Sequence, residues 1–173
     1  MMKNTISFSV LGTIIFTAIR LYLGYDWIEA GFNKLAGNSF NAAGFIKGAL
    51  SKTTGVHPDV QSWWAHFLQH FALPHIEIFN TLVPWGEFLV GLSLIFGIFT
   101  RFGVLMGIVM NFSYMFSGSI STNPEMLLLG FIIFIYSTKT TQFGLDYWII
   151  PKTRSAFALI KLKGILAHQS EST

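Results

Sequence analysis

Residues 6–32 form an apolar run long enough to cross a bilayer, and Arg20 stands inside it. An arginine at that depth costs at least ~2.5–3.5 kcal/mol, so it requires a partner or a wet cavity. A fold for this chain must bring polar company to Arg20. Composition narrows the options: 52% of the residues are hydrophobic, 11% are charged, and the mean hydropathy is +0.55. An average soluble domain is roughly 25% charged. This chain has too little polar surface for a water-soluble globule, and a single integral membrane domain over its 173 residues is expected.

Lys3 followed by an apolar run resembles a signal peptide. No small-x-small cleavage site follows, and Arg20, Tyr22, Tyr25 and Trp27 continue a helical pattern, so the run reads as an uncleaved first span. Run length, at about 20 residues per crossing, places three more spans at residues 78–99, 102–119 and 124–143. The last opens with Thr122-Asn123-Pro124-Glu125, in which a cap, a first-turn proline and an acid at the positive helix end coincide. The expected fold class is an all-α membrane protein, a bundle of four transmembrane helices. An amphipathic interfacial helix is expected in the outer loop, residues 35–77, within VQSWWAHFLQHFALPH.

Lys3, Arg101, Lys139, Lys152, Arg154, Lys161 and Lys163 fall on one side of this topology, and Lys34, Lys47 and Lys52 on the other. The bias places both termini in the cytoplasm of a multi-pass cell-membrane protein. The tail, residues 144–173, begins with an aromatic corner, Gly144-Leu145-Asp146-Tyr147-Trp148. A basic amphipathic helix over 152–164 and a frayed end over 168–173 are expected to follow.

On an ideal helix Arg20, Gly24, Trp27, Gly31 and Lys34 share one stripe, which should face the bundle. Gly103, Gly107 and Asn111 stand four apart in the third span, a small-residue packing face with a polar end. Glu87 and Gly91 repeat the spacing in the second. At ~1.5 Å per residue, Arg20 lies ~21 Å from residue 6, Glu87 ~18 Å from residue 99 and Asn111 ~14 Å from residue 102. These depths allow Arg20 to pair with Glu87, with Asn111 as an added hydrogen-bonding group. Such a pair serves either a site or helix register alone. Asp26 and Glu29 are expected near the outer interface, where water reaches them.

Cysteine is absent, which excludes a disulfide, a thiol relay, an iron–sulfur cluster and Cys-ligated zinc. His66 and His70 stand four apart, with His57 and His75 nearby, but no metalloenzyme context accompanies them, and no metal or haem is expected. The net charge of +3 is not organised into a basic patch with exposed aromatics, so nucleic acid is not an expected partner. Trp63, Trp64 and Trp85 suit a membrane-interface belt, or contact with a flat aromatic ligand.

The segments IRLYLGYDWIEAGFNKL, VPWGEFLVGLSLIFGIFTRFG and NFSYMFSGSISTNPEMLLLG, with the corner Phe143-Gly144-Leu145-Asp146, resemble the DoxX/DoxD family of small integral membrane proteins. The resemblance runs from about residue 12 to residue 152 and is most specific in the WGE-to-TR block and the STNP turn. It implies a four-helix membrane bundle. It also implies links to thiosulfate:quinone oxidoreductases, to quinone or catechol operons, and to assemblies with superoxide-detoxifying partners. The positions matching its motifs are Arg20, Gly24, Gly31, Lys34, Glu87, Gly91, Arg101 and Asn111.

The expected function is that of a quinone-linked oxidoreductase subunit, with its pocket between the first three spans. Arg20 would hold a quinone oxygen or an anionic substrate, and Glu87 would orient Arg20 or relay a proton. Gly24, Trp27, Lys34, Trp85 and Asn111 would complete the quinone site, under a lid carrying Trp63, Trp64 and His70. The alternatives are a non-catalytic anchor for a soluble redox or detoxification enzyme, using the basic tail, and a small-molecule carrier. The expected partners are the bilayer and a membrane or soluble redox protein, and the sequence allows an oligomer.

Overall fold

The structure is a computed structural model that describes residues 3–37, 40–140, 142–149 and 151. Regular structure among the described residues is entirely helical. α1 (Lys3–Ala36) is the longest element, followed by α2 (Ala42–Leu50), a 3₁₀ turn (Ser51–Thr53), α3 (Ser62–Phe67) and a π turn (Leu68–Ala72). α4 (Ile76–Phe96), α5 (Thr100–Phe116), α6 (Asn123–Ile135) and α7 (Ser137–Thr140) complete the order. Of these, α4 is long and apolar enough to cross a membrane, and α6 is apolar but shorter.

α1 lies along α4 because glycines let the two backbones close. A Cβ on Gly31 would stand 2.8 Å from the Phe88 Cα, and one on Gly91 would stand 2.6 Å from the Ile28 nitrogen. α4 ends at Gly97, whose φ of +62° is the left-handed conformation that closes many helices. α5 then starts within three residues and returns beside α4, and α6 packs on α5. Leu23, Trp27, Val90, Leu94, Val104, Ile108, Met126 and Ile133 form the core between them. Leu82, Leu89, Phe102, Val109, Leu128 and Ile135 remain exposed on the outer faces, an apolar surface of the kind that marks a membrane or protein contact.

In the segment 35–77 the expected amphipathic stretch forms α3 and the π turn, preceded by the short helix α2. The chain reverses between residues 54 and 61, so that Ile46 and Ala49 of α2 meet Leu68 and Ala72 around Val60 in a second small core. Three bonds fasten this cap to the long helices. The Ala42 amide donates to Asn80 Oδ1 (2.9 Å), Lys52 Nζ to the Gly118 carbonyl (2.7 Å), and Trp64 Nε1 to Ser117 Oγ (2.9 Å). The fourth expected span is interrupted: α6 stops at Ile135, Tyr136 breaks the helix, and α7 follows. The expected helix over 152–164 and the frayed end lie outside the described residues.

Candidate functional site

The sequence stripe on α1 is a real face: Arg20, Gly24, Trp27 and Gly31 are buried and Lys34 is half-buried. Its C-terminal end makes the central polar contact. Lys34 Nζ donates to both oxygens of Glu87, each at 2.6 Å, and the Tyr114 hydroxyl donates to Glu87 Oε1 at 2.5 Å. Glu87 is 2% exposed and Lys34 26%, so the carboxylate is sealed while the ammonium keeps an edge toward the cap. The ammonium also lies 5.7 Å from the Phe40 ring centre and 5.8 Å from that of Tyr114, favourable positions for a cation. Phe45 of α2 packs edge-on against Tyr114 at 5.7 Å, so the cap roofs the cluster.

Asn111 belongs to the same neighbourhood. One turn before it, Gly107 packs against the Trp27 indole, where a Cβ would stand 3.2 Å away. Three residues after it comes Tyr114, on the same helical face. Met110 lies against Gly86, so α5 passes Glu87 at this level. Asn111 is 1% exposed, and its carbonyl oxygen has no hydrogen-bond partner among the described residues. Native interiors rarely leave such a group unpaired, and each instance calls for a reason.

Arg20 does not meet Glu87, contrary to the depth estimate. Its Nη1 donates to the Leu94 carbonyl and, at 3.3 Å, to that of Ile95, while Nη2 donates to the Phe143 carbonyl at 3.4 Å. The first two are open carbonyls at the C-terminal end of α4, where a cation also complements the helix dipole. The cause of the misplacement is length. α1 has 34 residues, ~51 Å at 1.5 Å per residue, and overhangs α4, so residue 6 is no guide to where α4 ends. Gly24 packs at Ile95 and Gly31 at Phe88, which sets Arg20 level with the α4–α5 turn and ~18 Å from Glu87 along the axis.

Asp146 completes this clasp. Its carboxylate accepts from the Phe99 and Thr100 amides, both at 2.8 Å, capping the start of α5. The Asp146 amide donates to the Gly97 carbonyl at 2.7 Å and the Leu145 amide to that of Phe96 at 3.1 Å. Asp146 also attracts the Arg20 guanidinium electrostatically. The aromatic corner seen in the sequence is therefore a structural fastening whose working atom is a carboxylate.

The remaining expected residues divide. Trp85 is 49% exposed and packs edge-on against Phe88; two residues from Glu87 is ~200° around the helix, so it faces away from the cluster. Trp64 joins the roof through Ser117, and Trp63 packs against Phe116. The exposed rings of His66 and His70 stack at 4.1 Å, and His70 Nδ1 bonds to the His66 carbonyl. Among the described residues, no three His, Asp or Glu are grouped to hold a metal. Asp26 and Glu29 line an open groove of about 350 Å³ with Tyr22, Asn33 and Glu125, on the α6 side of α1. Sequence reasoning missed Tyr114, although a hydroxyl three residues beyond a buried Asn on a small-residue face was an available signal.

A comparison with curated proteins and one with solved structures each return no match. A family model does match: DoxX, over residues 15–119, which includes Arg20, Lys34, Glu87, Asn111 and Tyr114. That span covers more than half of the sequence and holds both the sealed carboxylate and its partners, so the chain belongs to the DoxX family, a group of membrane proteins.

Proposed function

We propose that this protein is a quinone-linked oxidoreductase subunit whose site is the Lys34–Glu87–Tyr114–Asn111 cluster between α1, α4 and α5. In this reading α1, α4, α5 and the α6–α7 pair each cross the cell membrane, with both termini cytoplasmic. The 21 residues of α4 span ~32 Å, close to the ~30 Å hydrocarbon core. Glu87 is the twelfth of them, so an ion pair sits near mid-membrane, where ionisable groups usually serve function.

The observation that supports the proposal is the Asn111 carbonyl oxygen, without a hydrogen-bond partner among the described residues, in the neighbourhood of a sealed carboxylate, an ammonium and a phenol. These groups fit a quinone ring: Lys34 and Asn111 can donate to its oxygens, and the Trp27 indole offers an aromatic wall. A bound quinone supplies reversible uptake of two electrons and two protons. The chain supplies binding, exclusion of water and proton storage. Tyr114 holds a proton on its hydroxyl, Lys34 on Nζ, and Glu87 accepts from both, so a proton can shift along the row without crossing lipid. Electrons would come from a membrane or soluble redox partner. The cap, with Trp63, Trp64 and His70, acts as the lid. Arg20 takes a positioning role, since its Nη donors already serve α4 and residue 143.

The test is mass spectrometry of an organic extract of the protein purified in native lipid. About one quinone per chain, reduced in Glu87→Gln, supports the site. No enrichment over bulk lipid rejects it.

A further inference from the structure

The Asn111 carboxamide is 1% exposed, and its carbonyl oxygen lacks a partner among the described residues. Among the described residues no hydrogen bond ties its side chain to α1 or α4, unlike the usual use of a buried asparagine in such a bundle. It differs from the rest of the cluster in one chemical respect. Lys34 is donor-only, an ionised Glu87 is acceptor-only, and Tyr114 already gives its proton to Glu87. Only the carboxamide has both a donor and an acceptor to spare, on two ends that exchange by a half-turn about the last side-chain torsion.

We infer that Asn111 is the specificity residue that lets this site hold its ligand in both redox states, accepting from a ring hydroxyl and donating to a ring carbonyl. The inference rests on the quinone reading of the cluster. A carbonyl oxygen on the ligand meets the N–H of Asn111, and a hydroxyl in the same place meets its C=O after the amide turns. Charged neighbours cannot make this exchange. An ammonium alone favours the carbonyl form, and a carboxylate alone favours the hydroxyl form. Position 111 suits the task because it lies on α5 between Gly107, which packs on the Trp27 indole, and Tyr114, which bonds Glu87, while its neighbour Met110 lies against Gly86.

The inference predicts opposite effects on stability and binding. An unpartnered buried amide destabilises the ligand-free protein, so Asn111→Leu should melt at a higher temperature than wild type. It should also bind decylquinone and decylquinol each about five- to tenfold more weakly, the loss of roughly one hydrogen bond in either state. Asn111→Val serves as a second variant if the leucine is too large. Wild type should bind the two forms within about threefold of each other. Titration of purified protein with each form, followed by intrinsic Trp fluorescence under anaerobic conditions, reads both constants. Unchanged binding in both variants, or a lower melting temperature with binding intact, overturns the role of Asn111 and leaves the quinone site standing. A wild-type preference above tenfold for one form also overturns it. Binding of neither form by wild type overturns the quinone reading and this inference with it.

Discussion

Lys34 and Glu87 meet at 2.6 Å although they lie 53 residues apart, one at the C-terminal end of α1 and the other in the middle of α4. Close approach at Gly31 and Gly91 brings them together, so the ion pair and the small-residue packing are one feature.

Removing the charge from Glu87 should show this coupling. Glu87→Gln leaves Lys34 without its counter-ion and should cost about 3 kcal/mol, the lower end for a broken buried pair, because the partly exposed ammonium can reach toward water. The double variant Lys34→Met/Glu87→Leu should recover most of that loss. Thermal unfolding of the two singles and the double in one detergent measures the coupling. Additive losses would mean the two groups do not interact.

Tyr114→Phe deletes one donor to the sealed carboxylate and should destabilise by about 1.5–3 kcal/mol, the range for hydrogen bonds to charged groups. The same unfolding assay checks it. A change near zero would place the hydroxyl elsewhere.

Arg20→Lys tests the clasp. A lysine keeps the charge but cannot serve Leu94, Ile95 and Phe143 from one planar fork. A loss of about 2–3 kcal/mol is expected, for two or more hydrogen bonds from a charged group. Quinone content per folded chain should stay at the wild-type level. A selective loss of quinone with stability intact would return Arg20 to the binding site.

Two glycines make a matched pair for packing. Gly31→Ala places a methyl within 2.9 Å of the Phe88 Cβ and should cost about 1–3 kcal/mol through overpacking. Gly48→Ala meets nothing within 4 Å and should stabilise α2 by roughly 0.5–1 kcal/mol. Melting temperatures moving in opposite directions confirm the assignment of the α1–α4 seam.

Much of this arrangement was legible before the structure. Helical spacing alone put Arg20, Gly24, Trp27, Gly31 and Lys34 on one face, and likewise Glu87 with Gly91 and Gly107 with Asn111; all of these are buried or half-buried. Partner choice was not legible, because it depends on how far one helix slides along another. A shift of one turn moves a side chain by ~5.4 Å, and the overhang of α1 amounts to several turns. Lys34 was placed on the buried stripe, but its pairing with Glu87 was not foreseen for the same reason. The amphipathic stretch of the cap was legible, but its packing on α2 was not, because the two meet across the reversal between residues 54 and 61. Asp146 sat in a recognisable corner, but its capping of α5 depends on a contact 46 residues away in sequence.

The most direct test of the central claim is photolabelling with an azidoquinone in native-lipid discs, followed by peptide mapping of the attached label. The account predicts label on residues 27–34, 83–90 and 107–117, lost on competition with excess unlabelled quinone and diminished in Glu87→Gln. Label concentrated near Arg20 and residue 143, or spread over the exposed apolar faces and insensitive to competition, would contradict it.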